Sequence, residues 1–223
     1  MSSPESRREQ LVELYREVRA CTRCPLHQTR TQAVFGAGNA NADLMFVGEA
    51  PGQQEDLRGI PFVGRAGGLL DDLLAENGLE RGDVFIANVL KSRPPDNRDP
   101  HPDEIAACKP YLYRQVELIE PTVICTLGNF ATKLLTASNT GISRVHGVAQ
   151  DHQVGGRAVR IFPIYHPAAG LRTPRVKELL RADFAKLPAL LAAGPPAQPT
   201  AVPSSEPAAQ ADPPTNLQPG LFD

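Results

Sequence analysis

The chain contains no tryptophan, two methionines and only four cysteines in 223 residues, and aromatic side chains make up 5% of it. So few cysteines rule out a disulfide-dense scaffold. With 41% hydrophobic residues, a chain of this length buries a sizeable core without covalent staples. No apolar run approaches the roughly 20 residues needed to cross a bilayer. Met1 to Gln10 is polar and charged, with no apolar h-region, so no secretory signal is expected. The expected setting is a reducing cytosol, where thiols more often serve metals or catalysis than disulfides.

An excess of positive charge is also missing. Every Lys and Arg precedes residue 192, and the segment 192–223 carries only Glu206, Asp212 and Asp223 as charges. Without those three acids the remainder holds 22 acidic against 23 basic side chains, which is close to neutral. Composition alone gives no hint of nucleic acid, although a local basic patch stays compatible with it.

What is present is a regular alternation of patterns. Leu11, Leu14 and Val18 recur at helical spacing in SRREQLVELYREVRA, which predicts an amphipathic helix running into Cys21. Ala42–Gly48, Val84–Leu90, Thr122–Leu127 and Val159–Tyr165 read as short buried strands, with Val148–Val154 pairing with the last across Gly155-Gly156. Ala66–Glu76, Pro102–Ile119, Asn129–Thr136 and Arg175–Leu191 read as helices. Strands alternating with helices predict a three-layer α/β/α domain over residues 1–191, with a mostly parallel central sheet of about four strands. In such sheets the ligand crevice lies at the carboxyl ends of the strands. From Ala192 onward Pro, Ala, Gln and Ser dominate, and this predicts a disordered, extended tail.

The four cysteines are Cys21 and Cys24 in C-x-x-C, then Cys108 and Cys125 sixteen residues apart. Four thiolates suit tetrahedral zinc or an iron–sulfur cluster, and spacing does not separate the two. Two buried thiols beside an unrelated C-x-x-C pair would give the same spacing. Three polar groups fall where strands are expected to end. Glu49 lies in the tight turn G-E-A-P-G-Q-Q-E-D, Asn88 inside an apolar strand, and His166 in Y-H-P-A-A-G-L. Each also has a plain role: Glu49 suits capping the following turn, Asn88 suits satisfying loop backbone, and His166 suits a solvated turn. Phe62 in I-P-F-V-G suits the core. His27, His101, His146 and His152 sit in polar stretches and are expected to be exposed.

Taken together, G-E-A-P-G-Q-Q-E-D, R-G-I-P-F-V-G-R-A-G, N-V-L-K-S-R-P-P-D-N-R and H-P-A-A-G-L-R resemble the family 4 uracil-DNA glycosylases, as does the cysteine arrangement. The resemblance spans about residues 10–190. It implies a uracil-DNA glycosylase-like fold and a 4Fe–4S cluster on Cys21, Cys24, Cys108 and Cys125. The activity it implies is hydrolysis of the N-glycosidic bond of deoxyuridine in single- or double-stranded DNA, leaving an abasic site for base excision repair. It assigns Glu49 and His166 to catalysis. Ala50, Glu55, Phe62 and Asn88 would hold the base, with Glu55 excluding thymine's methyl group. Leu171 and Arg172 would contact DNA, although Ala169-Gly170 stands where relatives carry bulkier residues. Ser92 replaces a cysteine frequent in relatives, which implies that its position is not a cluster ligand. Two rival readings are a glycosylase that also accepts deaminated purines and a non-catalytic iron–sulfur protein that accompanies DNA or senses redox state.

The last residues, QPGLFD, place Gln218, Leu221 and Phe222 in a Q-x-x-L-F pattern. It resembles the peptide with which bacterial repair proteins dock on the sliding clamp. The implied partners are therefore uracil-containing DNA and, through the tail, the clamp. A monomer in the bacterial cytosol and nucleoid is expected, with no membrane partner.

Overall fold

The computed structural model describes residues 4–199. In chain order the elements are α1 (Pro4–Ala20), β1 (Ala37–Gly38), β2 (Leu44–Gly48), α2 (Gln53–Arg58), α3 (Arg65–Ala75), β3 (Phe85–Asn88), α4 (Pro102–Ile119), β4 (Val123–Leu127), α5 (Asn129–Thr136), α6 (Ile142–Val145), β5 (Gln150–Val154), β6 (Arg157–Ile164), α7 (Pro167–Gly170), α8 (Pro174–Phe184) and α9 (Leu187–Ala192). The strands form one sheet in the order β1-β3-β2-β4-β6-β5. The central four, β3, β2, β4 and β6, run parallel, and β1 and β5 add antiparallel edges. The expected four-stranded parallel sheet is thus present, widened to six by one edge strand of two residues and one hairpin.

Side chains on the parallel strands alternate between two apolar layers, as the period of two requires. Met45, Val47, Phe85, Ala87, Ile124 and Ile161 face α1 and α4, joining Leu14, Val18, Leu112 and Val116. Leu44, Phe46, Ile86, Val123, Cys125 and Phe162 face the other way, toward Leu70 and Leu73 of α3 and Leu180 and Phe184 of α8. Burial on both faces explains why these strands read as continuous apolar runs. No helix among the described residues is long and apolar enough to cross a membrane.

Two expectations change. The final helix is two helices: α8 ends at Phe184 and α9 begins at Leu187. Pro188, near the start of α9, has no N–H to continue the earlier helix. The folded part also runs past residue 191. The Gln198 amide accepts from Ala158 N at 3.2 Å and donates to Ala158 O at 2.9 Å, and Arg160 Nη1 donates to Gly194 O at 2.9 Å. The clamp-like residues Gln218, Leu221 and Phe222 lie outside the described residues.

Phe184 stacks on Phe46 at 5.7 Å between centroids and 13° between planes, and both are fully buried away from any cavity. Phe184→Ala is expected to destabilise the fold by about 3–5 kcal/mol. Urea unfolding should show a lower midpoint with an unchanged m-value; a midpoint within error of the parent would contradict this packing.

Candidate active site

Three parallel strands end side by side and deliver the polar groups. β2 and β3 pair so that Gly48 lies opposite Asn88, and the pairing continues as Val89 N donates to Gly48 O at 2.9 Å and Leu90 N to Glu49 O at 3.0 Å. β6 ends at Ile164, two residues before His166. Glu49, Ala50, Glu55, Phe62, Asn88 and His166 therefore line a single cavity of about 540 Å³, with Arg172 at its wall. Leu171 lies outside this lining and is 40% exposed.

Asn88 is 2% exposed, and its Oδ1 is fully enclosed with no hydrogen-bond partner among the described residues. An unsatisfied buried acceptor costs about 1–3 kcal/mol, so this one stands ready for a donor from a ligand. Phe62 adopts φ +52°, a left-handed backbone that a bulky side chain disfavours. The loop is held in place from outside: Arg81 donates to Pro61 O at 3.1 Å and to Phe62 O, and pairs with Asp71 at 2.6 Å. Glu55 Oε1 accepts from Val63 N at 3.1 Å and Gly64 N at 3.2 Å, clamping the same loop from within the cavity.

Gly48, which the sequence did not single out, completes the floor. A Cβ there would lie 2.4 Å from Asn88 Oδ1 and 2.8 Å from Phe62 Cζ. Only a residue without a side chain leaves the space between them open. Asn97, Arg98 and Asp99 also line the cavity and were not singled out. Their signal was the D-N-R run, placed by a turn in which Asp96 and Asn97 have φ near +55° (55° and 54°). Arg98 grips Glu104 at the start of α4 through both nitrogens, at 2.6 and 2.9 Å.

The two ionisable groups nearest the centre are shifted in opposite directions. Glu49 is half-buried, and desolvation, reinforced by the charge of Asp99, pushes its pKa up to about 7. Surrounding protein crowds His166, and desolvation pushes its pKa down to about 4 despite the opposing charge of Glu55. His166 is therefore neutral at ordinary pH. Its Nδ1 accepts from Ala168 N at 3.1 Å, which leaves the proton on Nε2. Its ring lies 5.6 Å from that of Phe62, inclined by 30°. Another expectation is corrected at His146, which is half-buried, 2.8 Å from Asp183 and packed on the Tyr165 ring.

The cysteines do not all converge. Cys21 and Cys24 pack against the α1/α4 layer that contains Cys108. The charges of Cys21 and Cys24 are both felt at Cys108, where burial and this proximity push the thiol pKa up. Cys125 belongs to the opposite layer, behind the sheet beside Asp183. The expected four-cysteine set thus corrects to three. Cys125 shares its face of β4 with Val123 and Leu127, not with Ile124, and so points away from α4. Among the described residues, no three His, Cys, Asp or Glu side chains converge on the position of a single metal ion.

Comparison with known proteins agrees with this architecture. The profile of the uracil DNA glycosylase superfamily matches residues 35–187. A type-4 uracil-DNA glycosylase from Archaeoglobus fulgidus is 49% identical over 183 residues, covering 80% of this chain and 92% of the relative. Another from Thermotoga maritima is 47% identical over 176 residues, 78% and 90% of the two chains. A type-5 enzyme from Pyrobaculum aerophilum is 29% identical over 150 residues. With relatives at this identity over most of both chains, this protein belongs to the uracil DNA glycosylase superfamily and, within it, to the type-4 group.

Proposed function

We propose that the cavity receives a uracil extruded from DNA and hydrolyses its bond to deoxyribose, releasing the base and leaving an abasic site. The observation that carries this reading is the enclosed, unpartnered Asn88 Oδ1 beside the Phe62 ring. Uracil presents N3–H as a donor next to O4 as an acceptor, and an amide meets both, while cytosine reverses the pattern. A base of the wrong pattern would leave buried polar atoms unpaired, which is a strong basis for rejection. The ring of Phe62 supplies a flat apolar surface for stacking, and the base must leave the helix to reach it. Glu55 keeps the loop of Phe62 in place and stands at the pocket edge that a methyl group on C5 would approach.

The charges follow from the bond that breaks. When C1′–N1 cleaves, its electron pair leaves with uracil and spreads onto O2 and O4, while the sugar becomes cationic. The Nε2–H of His166 and the backbone N–H of Ala50 are the donors suited to O2, and a neutral imidazole donates there without first losing a proton. Glu49 as carboxylate offsets the sugar cation and orients a water whose oxygen bonds to C1′. The proton of that water passes to Glu49, whose raised pKa favours accepting it. Leu171, exposed on the rim, and Arg172 suit contacts with the opened stack and with phosphate. No lysine lines the cavity as a Schiff-base nucleophile, which agrees with base removal without strand cleavage.

We also read Cys21, Cys24 and Cys108 as holding a 4Fe–4S cluster, on their shared layer and on the resemblance of the sequence. Bound there, the cluster would supply a covalent tie between the end of α1 and α4. The tail peptide of Gln218, Leu221 and Phe222 is proposed, on sequence alone, to dock on the sliding clamp. A flexible linker ahead of it would raise the local concentration of enzyme at DNA.

Gly48→Ala should reduce excision from a single-stranded oligonucleotide bearing one uracil by at least about 10²-fold with circular dichroism unchanged. His166→Ala should lower kcat by about 10²–10³. Parent-like rates in both variants would place the pocket elsewhere. The pH profile of kcat/KM should rise through about 7, falling about tenfold per unit below it, because protonated Glu49 loses the charge it contributes. Asp99→Asn removes a negative charge and should move this limb to lower pH, and Glu49→Gln should abolish it; a limb unchanged in Glu49→Gln assigns it to another group. Changing Leu221 and Phe222 to Ala should release the protein from immobilised clamp, and equal retention of both forms would remove the clamp from the proposal.

A further inference from the structure

Three thiols share one layer and the fourth does not. Moving Cys125 to join them would require β4 to slip by one residue, which would turn Val123 and Leu127 out of the α3/α8 core. Such a slip also breaks the register of Leu44 with Val123 on one side and Arg160 with Val123 on the other. Cys125 is fully buried and its strand is held on both sides. It stays where it is.

A different oxygen-bearing residue stands near the three thiols. Ser92 is 3% exposed and follows Lys91, whose backbone contributes a hydrogen bond to Cys108. Its Oγ accepts from Arg30 Nη1 at 3.0 Å. The charge of Arg30 is in turn felt at Cys24. Ser92 is thus linked to Cys108 through its neighbour in sequence and to Cys24 through a shared arginine.

Resting on the iron–sulfur reading above, we propose that Cys21, Cys24 and Cys108 are the only thiolate ligands of the cluster, that its fourth corner faces the hydroxyl of Ser92, and that Cys125 takes no part. This runs against the sequence expectation for both residues. A hydroxyl is a poorer donor to iron than a thiolate, so the iron at that corner is the one held least firmly. Removal of one electron by an external acceptor such as ferricyanide takes a 4Fe–4S core from the 2+ to the 3+ level. Loss of that corner as Fe²⁺ then leaves a 3Fe–4S core at 1+, so charge and atoms balance.

The test uses the full chain purified without oxygen, with iron and acid-labile sulfide measured and electron paramagnetic resonance recorded before and after ferricyanide. The parent should contain both elements and release about a quarter of its iron on oxidation while gaining a three-iron signal. Cys125→Ala should contain as much iron as the parent, with Cys125→Val as a second variant that keeps the space behind β4 filled. Cys108→Ser should lose the cluster, and Ser92→Cys should keep all of its iron under ferricyanide. Iron missing from both Cys125 variants, but present in the parent, would restore Cys125 as a ligand and overturn the inference. Equal iron loss from the parent and Ser92→Cys would overturn the placement of Ser92. A parent free of iron and sulfide would overturn the cluster reading itself, and the inference with it.

Discussion

The register of β2 against β3 is the constraint on which the site depends. Because the two strands run parallel with Gly48 beside Asn88, a glycine and a buried amide meet at the strand ends where a cleft forms. The absent Cβ is then as functional as any side chain, since it leaves the room that Asn88 Oδ1 and Phe62 face. A slip of one residue would send Asn88 to the opposite face and close the floor. That register is in turn enforced by burial on both sides, with Met45 and Val47 in one layer and Leu44 and Phe46 in the other.

Low dielectric around the cavity then acts in two directions. It raises the pKa of Glu49, where Asp99 adds to the effect, and lowers that of His166. One burial mechanism thus produces a carboxylate able to accept a proton near neutrality and an imidazole that keeps its Nε2 proton without carrying charge. A charged imidazole facing Glu49 would neutralise the carboxylate that the sugar cation needs. Separating two pKa values by environment is how a single pocket assigns acid and base roles.

Much of this was legible in the sequence because the signals were periodic or punctuated. The buried strands read as apolar runs, α4 runs between the residues expected of it, and Glu49, Asn88 and His166 were placed by the rule of strand ends. The failures have physical causes. Cys125 was assigned by its distance along the chain, whereas a strand turns alternate side chains to opposite layers, and whether Cys125 shared a face with Ile124 or with Val123 depended on that parity. Gly48 was missed because its contribution is empty space. Phe62 was found through its motif, but no local pattern foretells φ +52°, which depends on Arg81 reaching across from a later loop. The tie between Gln198 and Ala158 was missed because composition speaks of average burial and not of one well-placed amide.

The short segment after β3 links the two centres of this protein. Asn88 faces the cavity, and three residues later the Lys91 side chain is fully buried, donating to Asn88 O at 2.8 Å and to Gln115 Oε1 at 2.6 Å. Gln115 passes the constraint on to Phe35 O at 2.9 Å. Burial pushes Lys91 down to about 7, opposed only by the nearby Cys108. A cation so costly to bury is retained because the carbonyl and amide it serves sit directly behind the base-reading side chain. The backbone of the same lysine reaches Cys108, so the cysteine layer and the floor of the cavity share one residue. A group tying α1 to α4 through those thiols would therefore stiffen the support of Asn88 without touching the chemistry. This explains how a centre on the far side of α4's layer can matter to a hydrolysis that needs no electron.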